Sequence, residues 1–150
     1  MPIRPEVRWL YPLDWPQLSA MIRFERANGR CERCGRPHGQ TVRHLGDGRW
    51  WDEERHVWRS GKGRPLTRLS IYDDAATAIS TGPVIRTTHV ILATAHLDHD
   101  PTNNRSRNLK ALCQRCHMLH DREQHQRQRN LTLRRRRAVG DLFLGLYVSL

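Results

Sequence analysis

Apolar positions recur at helical spacing near the start of the chain. Leu18, Met21, Ile22 and Phe24 fall on one side of a helix expected over about 14–28. Asp14 stands where an N-cap belongs, Pro16 suits the first turn, and Gly29 is placed to stop the run. Directly after it comes Cys31-Glu-Arg-Cys34-Gly35, a tight knuckle over 31–35 in which Gly35 can take a positive φ. Between 41 and 88 the pattern changes. Short β-like runs (Arg49-Trp-Trp, Val57-Trp, Leu69-Ser-Ile-Tyr) alternate with Gly, Asp and Pro, which predicts irregular hairpins with no assigned pairing. The segment from His89 to His99 opens with aliphatic and β-branched residues and predicts a strand or the end of a hairpin. Asp100 to Arg107 is loop chemistry throughout. Asn108 then caps a second helix, expected from Leu109 to at least Gln124, with Cys113, Cys116 and His117 within about one turn of each other. An Arg-rich continuation over 126–150 leads to Arg134–Arg137, and Gly140 is expected to break it before the apolar run Leu142–Leu150.

Length and composition narrow what such elements can build. The 150 residues suit one domain over 1–150, of the α+β class. Only 37% of them are hydrophobic, so the core is modest and a metal staple would help it. Lys and Arg number 26 against 15 acids, a formal charge of +11. All but Lys62 and Lys110 of the basic residues are arginine, whose planar guanidinium suits a phosphate-rich partner. No run approaches about 18 apolar residues, so no membrane span is expected. The N-terminus lacks the apolar core of a signal peptide, which predicts a cytoplasmic, reducing setting.

In that setting the four cysteines read as thiolates for a metal. Cys31/Cys34 and Cys113/Cys116 form two Cys-X2-Cys pairs, together the donor set of a closed tetrahedral Zn2+ site. Such a zinc is structural and ties the first helix to the second. His117 is an alternative fourth ligand in that shell.

The order Asp98-His99, Asn108-Leu109, Leu112-Cys113-Gln-Arg-Cys116-His117 resembles the HNH endonuclease family, the ββα-metal nucleases. The resemblance is strongest over 89–121. It implies a small ββα-metal core over about 89–125, with the zinc knuckle, the N-terminal helix and the hairpins around it. By the same likeness His99 is the general base, and Asp98 and His117 hold one divalent ion. Mg2+ or Mn2+ is the expected ion, with Ni2+ or Zn2+ as alternatives. Asn108 would tie the hairpin loop to the helix and orient His99, or coordinate the metal itself. Histidine suits the role chemically, because its free pKa matches taking a proton from water near neutrality. A regular strand sends Asp98 and His99 to opposite faces, so the two must lie where the strand ends. His96 competes as a ligand. Many members carry Gly-Gly where this chain has Asn103-Asn104, and asparagine can also take the left-handed turn.

The implied activity is a metal-dependent DNA endonuclease or nickase, with RNA not excluded as a partner. The alternative is a non-catalytic zinc-finger module that binds nucleic acid. Arg105, Arg107, Lys110 and Arg115 surround the implied site, and Arg134, Arg135, Arg136 and Arg137 extend its charge. Trp50, Trp51 and Trp58 offer base stacking, with core or zinc-shell packing the expected use. Oligomeric state is not legible in the sequence.

Overall fold

The structure is a computed structural model; it describes residues 5–67 and 84–147, with side chains for all of these except residue 6 and residues 139–147. The Leu69-Ser-Ile-Tyr run lies outside the described residues, as does the end of the apolar C-terminal stretch. The fold is mixed α+β and divides into two compact units, Met1–His117 and Met118–Leu150.

The first unit opens with a 3-10 turn, Pro5–Leu10, and helix α1, Trp15–Ala20, which widens into a π-helical segment, Met21–Arg26. The expected helix is therefore present but not regular. Asp14 makes no side-chain cap, and Ala27 N–H donates to the Ile22 carbonyl in the wider five-residue spacing. Gly29 follows at φ 65 and ends the run as expected. Four antiparallel strands, β1 (Thr41–His44), β2 (Trp50–Asp52), β3 (Val57–Arg59) and β4 (Arg86–His89), form one sheet in the order β3-β2-β1-β4. A second sheet pairs β5 (Leu92–His96) with β6 (Leu109–Cys113), Leu92 opposite Cys113 and His96 opposite Leu109. Helix α2, Gln114–Tyr147, follows β6 without a break.

Three expectations need correction here. Leu109–Cys113 is a strand, not the first turns of a helix, and Asn108 closes a 3-10 turn, Ser106–Asn108, instead of capping α2. The reason is burial on both faces of β6. Leu109 and Ala111 pack with Ile22, while Leu112 and Cys113 pack with Val42, Trp50, Val90 and Leu92. A strand buried on both faces is almost continuously apolar, and positions 109, 112, 113 and 116 then imitate a helical stripe. Gly140 does not break α2, which continues to Tyr147; an interior glycine costs a helix only about 1 kcal/mol. In the second unit every described side chain from 122 to 138 is exposed, Arg134–Arg137 among them.

Polar side chains close the seams between elements of the first unit. Gln114 accepts from Ile91 N–H at 3.1 Å and donates to the His89 carbonyl at 2.9 Å, holding the step between β4 and β5. Arg26 donates to the Ser106 and Leu109 carbonyls at 2.9 and 2.6 Å and pairs with Glu32 at 2.8 Å. Glu32 in turn accepts from Ala111 N–H at 2.6 Å, so the knuckle grips the open edge of β6. Among the described residues no helix is long and apolar enough to cross a membrane.

Gly63 sits at φ 82, and a Cβ there would stand 2.9 Å from the Cys34 carbonyl oxygen. Neither the backbone angle nor the neighbour can yield cheaply. Gly63→Ala should therefore destabilise the chain by about 2 kcal/mol, measured by urea denaturation; an unchanged midpoint would contradict this packing.

Candidate metal centre

Cys31 and Cys34 sit on the knuckle, Cys113 ends β6, and Cys116 lies in the first turn of α2. All four are buried, and their sulfurs lie within 4.8 Å of one another. The Cys34 and Cys113 sulfurs are 3.6 Å apart, and none of the four is in a disulfide. That spacing is far beyond a sulfur–sulfur bond of about 2.0 Å. It is close to the edge of about 3.8 Å that a tetrahedron of thiolates has around an ion with bonds of about 2.3 Å. Four buried sulfurs at this spacing are a set that can hold one metal ion.

The surrounding hydrogen bonds fix the shape of the cluster, and one of them reaches a sulfur. Cys113 N–H donates to Cys31 Sγ at 3.3 Å. Gly35, at φ 77, turns the knuckle so that its N–H reaches the Cys31 carbonyl at 2.8 Å. Trp50 is buried and its indole N–H donates to the Cys34 carbonyl at 3.1 Å, so this tryptophan packs the cluster and does not stack on bases. Hydrogen bonds, first from Cys113, then from Cys116 and Cys34, hold the Cys31 thiol far below its ordinary value. The same cluster pushes the Cys34 thiol far up, Cys113 again contributing most. Without a cation, four sulfurs this close share protons; a divalent ion removes that conflict.

The second candidate region is the loop joining β5 to β6. Asp98 and His99 lie just past the end of β5, as the alternation of strand side chains requires. His99 takes φ 62, a left-handed conformation that few residues other than glycine, asparagine, aspartate and histidine adopt and that Asn28 and His56 share here. Asx turns bracket it on the chain. Asp98 Oδ1 accepts from Asp100 N–H at 2.9 Å, and Asp100 Oδ1 accepts from Thr102 N–H at 2.9 Å. Asn108 is buried and reaches back across the loop. Its amide donates to Asp98 Oδ1 and to the Asn103 carbonyl, both at 2.8 Å, and its oxygen accepts from Asp98 N–H at 3.2 Å. It thus joins the two ends of the loop to each other, where a tie from loop to helix was expected.

Asn103 and Asn104 do not take the left-handed turn allowed to them; His99 does. Their amides work instead. Asn103 donates to Asp98 Oδ2 at 2.6 Å, and Asn104 Oδ1 meets His96 Nε2 at 3.0 Å. His96 is also stacked on Trp15, ring centroids 5.0 Å apart, and met edge-on by Tyr11. It is a buried packing residue with an engaged ring nitrogen. His117 is half-buried, one residue beyond Cys116 on α2.

Of the expected phosphate contacts, Arg105 and Arg107 are exposed on this loop and Lys110 is half-buried on β6. Arg115 instead turns to the β1–β2 turn, where it donates to the Asp47 carbonyl at 3.1 Å. Glu32, Arg26 and Gln114 join these elements without a motif that marks them in the sequence. Glu32 is the acidic residue inside the first Cys-X2-Cys, and that position was its only signal.

The hydrogen bond from Asp100 N–H, followed by those from Asn108 and Asn103, holds the Asp98 carboxyl at about 2. A carboxyl depressed by folding stabilises the fold above its unfolded pKa, and this contribution disappears as pH falls from about 4 towards 2. Asn108→Ala should move the Asp98 titration upward towards the free value, read by carboxyl-carbon NMR; no movement would detach Asn108 from Asp98. No family model matches this sequence, and no curated protein or solved structure is significantly similar to it.

Proposed function

We propose that this chain is a zinc-stabilised, metal-dependent DNA endonuclease of the HNH type, with His99 as its general base. The observation that carries the reading is the loop after β5. It holds a histidine in a left-handed turn beside a carboxylate fixed by three hydrogen bonds. Such strain, of order 1–3 kcal/mol, persists where the surrounding structure over-determines it, and it clusters at functional sites.

The four cysteines would hold zinc, the ion whose preferred number and softness match four thiolates. Asp98 and His117 would hold the catalytic ion, with Mg2+ or Mn2+ the expected species and Ni2+ or Zn2+ compatible with the same donors. Asp98 suits the task because it stays ionised far below neutral pH and is exposed. Its Oδ2 accepts only from Asn103 among the described hydrogen bonds, leaving a lone pair for a cation. When bound, the ion would neutralise charge on the phosphate and on the departing oxygen.

The chain's own part is proton transfer and positioning. His99 takes a proton from water as the water oxygen bonds to phosphorus, and the bond from phosphorus to the 3′-oxygen breaks. Asn108 acts through Asp98, keeping the two ends of the loop in register, and is a positioning residue. Arg105 and Arg107 lie beside the loop, exposed, where they would contact backbone phosphates; Lys110 on β6 adds to that charge, and the exposed Arg134–Arg137 of the second unit offer phosphate contacts of their own.

One observation favours the non-catalytic alternative. The Asp98 carboxylate builds an Asx turn and receives two asparagine amides, a purely structural use of the same group. The two readings separate on a supercoiled plasmid. The zinc-loaded chain should nick it with Mg2+ or Mn2+, and His99→Ala should lower the rate by at least about a hundredfold with zinc content unchanged. Cleavage undiminished in the variant would remove His99 from the mechanism, and binding without cleavage under any divalent ion would favour the binding module. Zinc itself should be structural. Stripping it with a chelator should remove most of the cooperative thermal transition, since such sites supply on the order of 10 kcal/mol. A transition unchanged after verified zinc loss would contradict that role.

A further inference from the structure

Five arginines of the first unit, Arg26, Arg30, Arg43, Arg49 and Arg59, each face a carboxylate. Among the first-unit arginines for which no carboxylate partner is described, Arg36, Arg86 and Arg115 gather on the turn between β1 and β2. Arg36 donates to the Gly48 carbonyl at 3.4 Å, and Arg115 to the Asp47 carbonyl at 3.1 Å. A Cβ on Gly48 would overlap the Arg115 guanidinium, and one on Gly46 would lie 3.9 Å from a terminal nitrogen of Arg86. Arg86 is exposed on β4, paired in register with His44 on β1. The glycines, at φ 88 and 115, let the turn form with no side chain between these cations.

The carboxylate within the turn is already engaged. Asp47, within the turn, accepts from Arg49 Nε at 2.6 Å and Arg49 N–H at 2.8 Å. The His44 ring accepts from Gly46 N–H at Nδ1, 3.0 Å, so its proton sits on Nε2, 2.8 Å from Thr88 Oγ1. It is a neutral ring among three positive charges. Burial lowers its pKa most, Arg36, Arg86 and Arg115 each lower it further, and Asp47 acts weakly the other way, so the three cationic fields meet at one place. Arg36 is only 4% exposed and its Nε has no partner. Burying an uncompensated guanidinium is expensive unless an anion answers it.

We propose that the β1–β2 turn is a phosphate-binding site for the nucleic-acid backbone, with Arg86 and Arg115 as its ligands and Arg36 as the buried charge beneath. Arg86 leaves its whole guanidinium available and Arg115 uses one nitrogen on a carbonyl, so each keeps donors for a phosphate oxygen. The site rests on the nucleic-acid reading above and not on hydrolysis.

The test is duplex binding by the zinc-loaded chain without any other divalent ion, across about 50–200 mM salt. Arg86→Gln, at an exposed position, should weaken binding and make the slope of log K against log salt shallower by about one, so that the affinity lost over that range becomes about fourfold smaller. Arg86→Lys should keep the wild-type slope. In a parallel titration, inorganic phosphate should shift the His44 ring resonances of the wild type and not of Arg86→Gln. An unchanged duplex slope in Arg86→Gln overturns the proposal. If phosphate still moves His44 in that case, the turn takes free anions and not nucleic acid. A chain that binds duplex through Arg86 but never cuts plasmid refutes the nuclease reading alone. One that nicks plasmid with an unaltered slope in Arg86→Gln refutes this site alone.

Discussion

Four sulfur atoms from two distant stretches of chain must meet in one buried place, and the rest of the first unit is arranged around that demand. Cys34 and Cys113 are 79 residues apart in sequence and 3.6 Å apart in space. Closing so long a loop is entropically unfavourable, and a chain with so few apolar residues has little core to offset it. A shared cation is the natural compensation. Trp50, Val42, Val90, Leu92 and Leu112 are buried in one cluster with the four cysteines, so core and metal set are one structure.

That arrangement also frames the loop between β5 and β6. β6 carries Cys113 at one end and is joined through Asn108 to the loop at the other. Glu32, within the knuckle, binds the edge of β6 through Ala111 N–H. One short strand thereby joins the cysteine cluster to the backbone that holds Asp98 and His99. A strained histidine needs such support, because an isolated loop would relax to a conformation its side chain prefers.

The features legible in the sequence were those fixed by local chemistry. The two Cys-X2-Cys pairs gather as their spacing implied, Gly29 ends the first helical run, Gly35 takes the positive φ open to it, and Asp98-His99 fall at a strand end. What misled was burial. β6 is covered on both faces, so its apolar positions coincide with a helical stripe and Asn108 looked like a cap. Likewise Arg115 looked like a phosphate contact beside the β5–β6 loop, whereas its guanidinium lies on the β1–β2 turn. Pairings such as Arg26 with Glu32 and Gln114 with the β4–β5 step depend on tertiary neighbours, and no spacing in the chain announces them.

Zinc K-edge X-ray absorption on the purified chain reads the ligand shell of the four cysteines itself. One zinc per chain is expected, with four sulfur scatterers at about 2.3 Å and no nitrogen in the shell. A shell of three sulfurs and one imidazole nitrogen, or a chain that carries no zinc and joins these cysteines as disulfides, would contradict it.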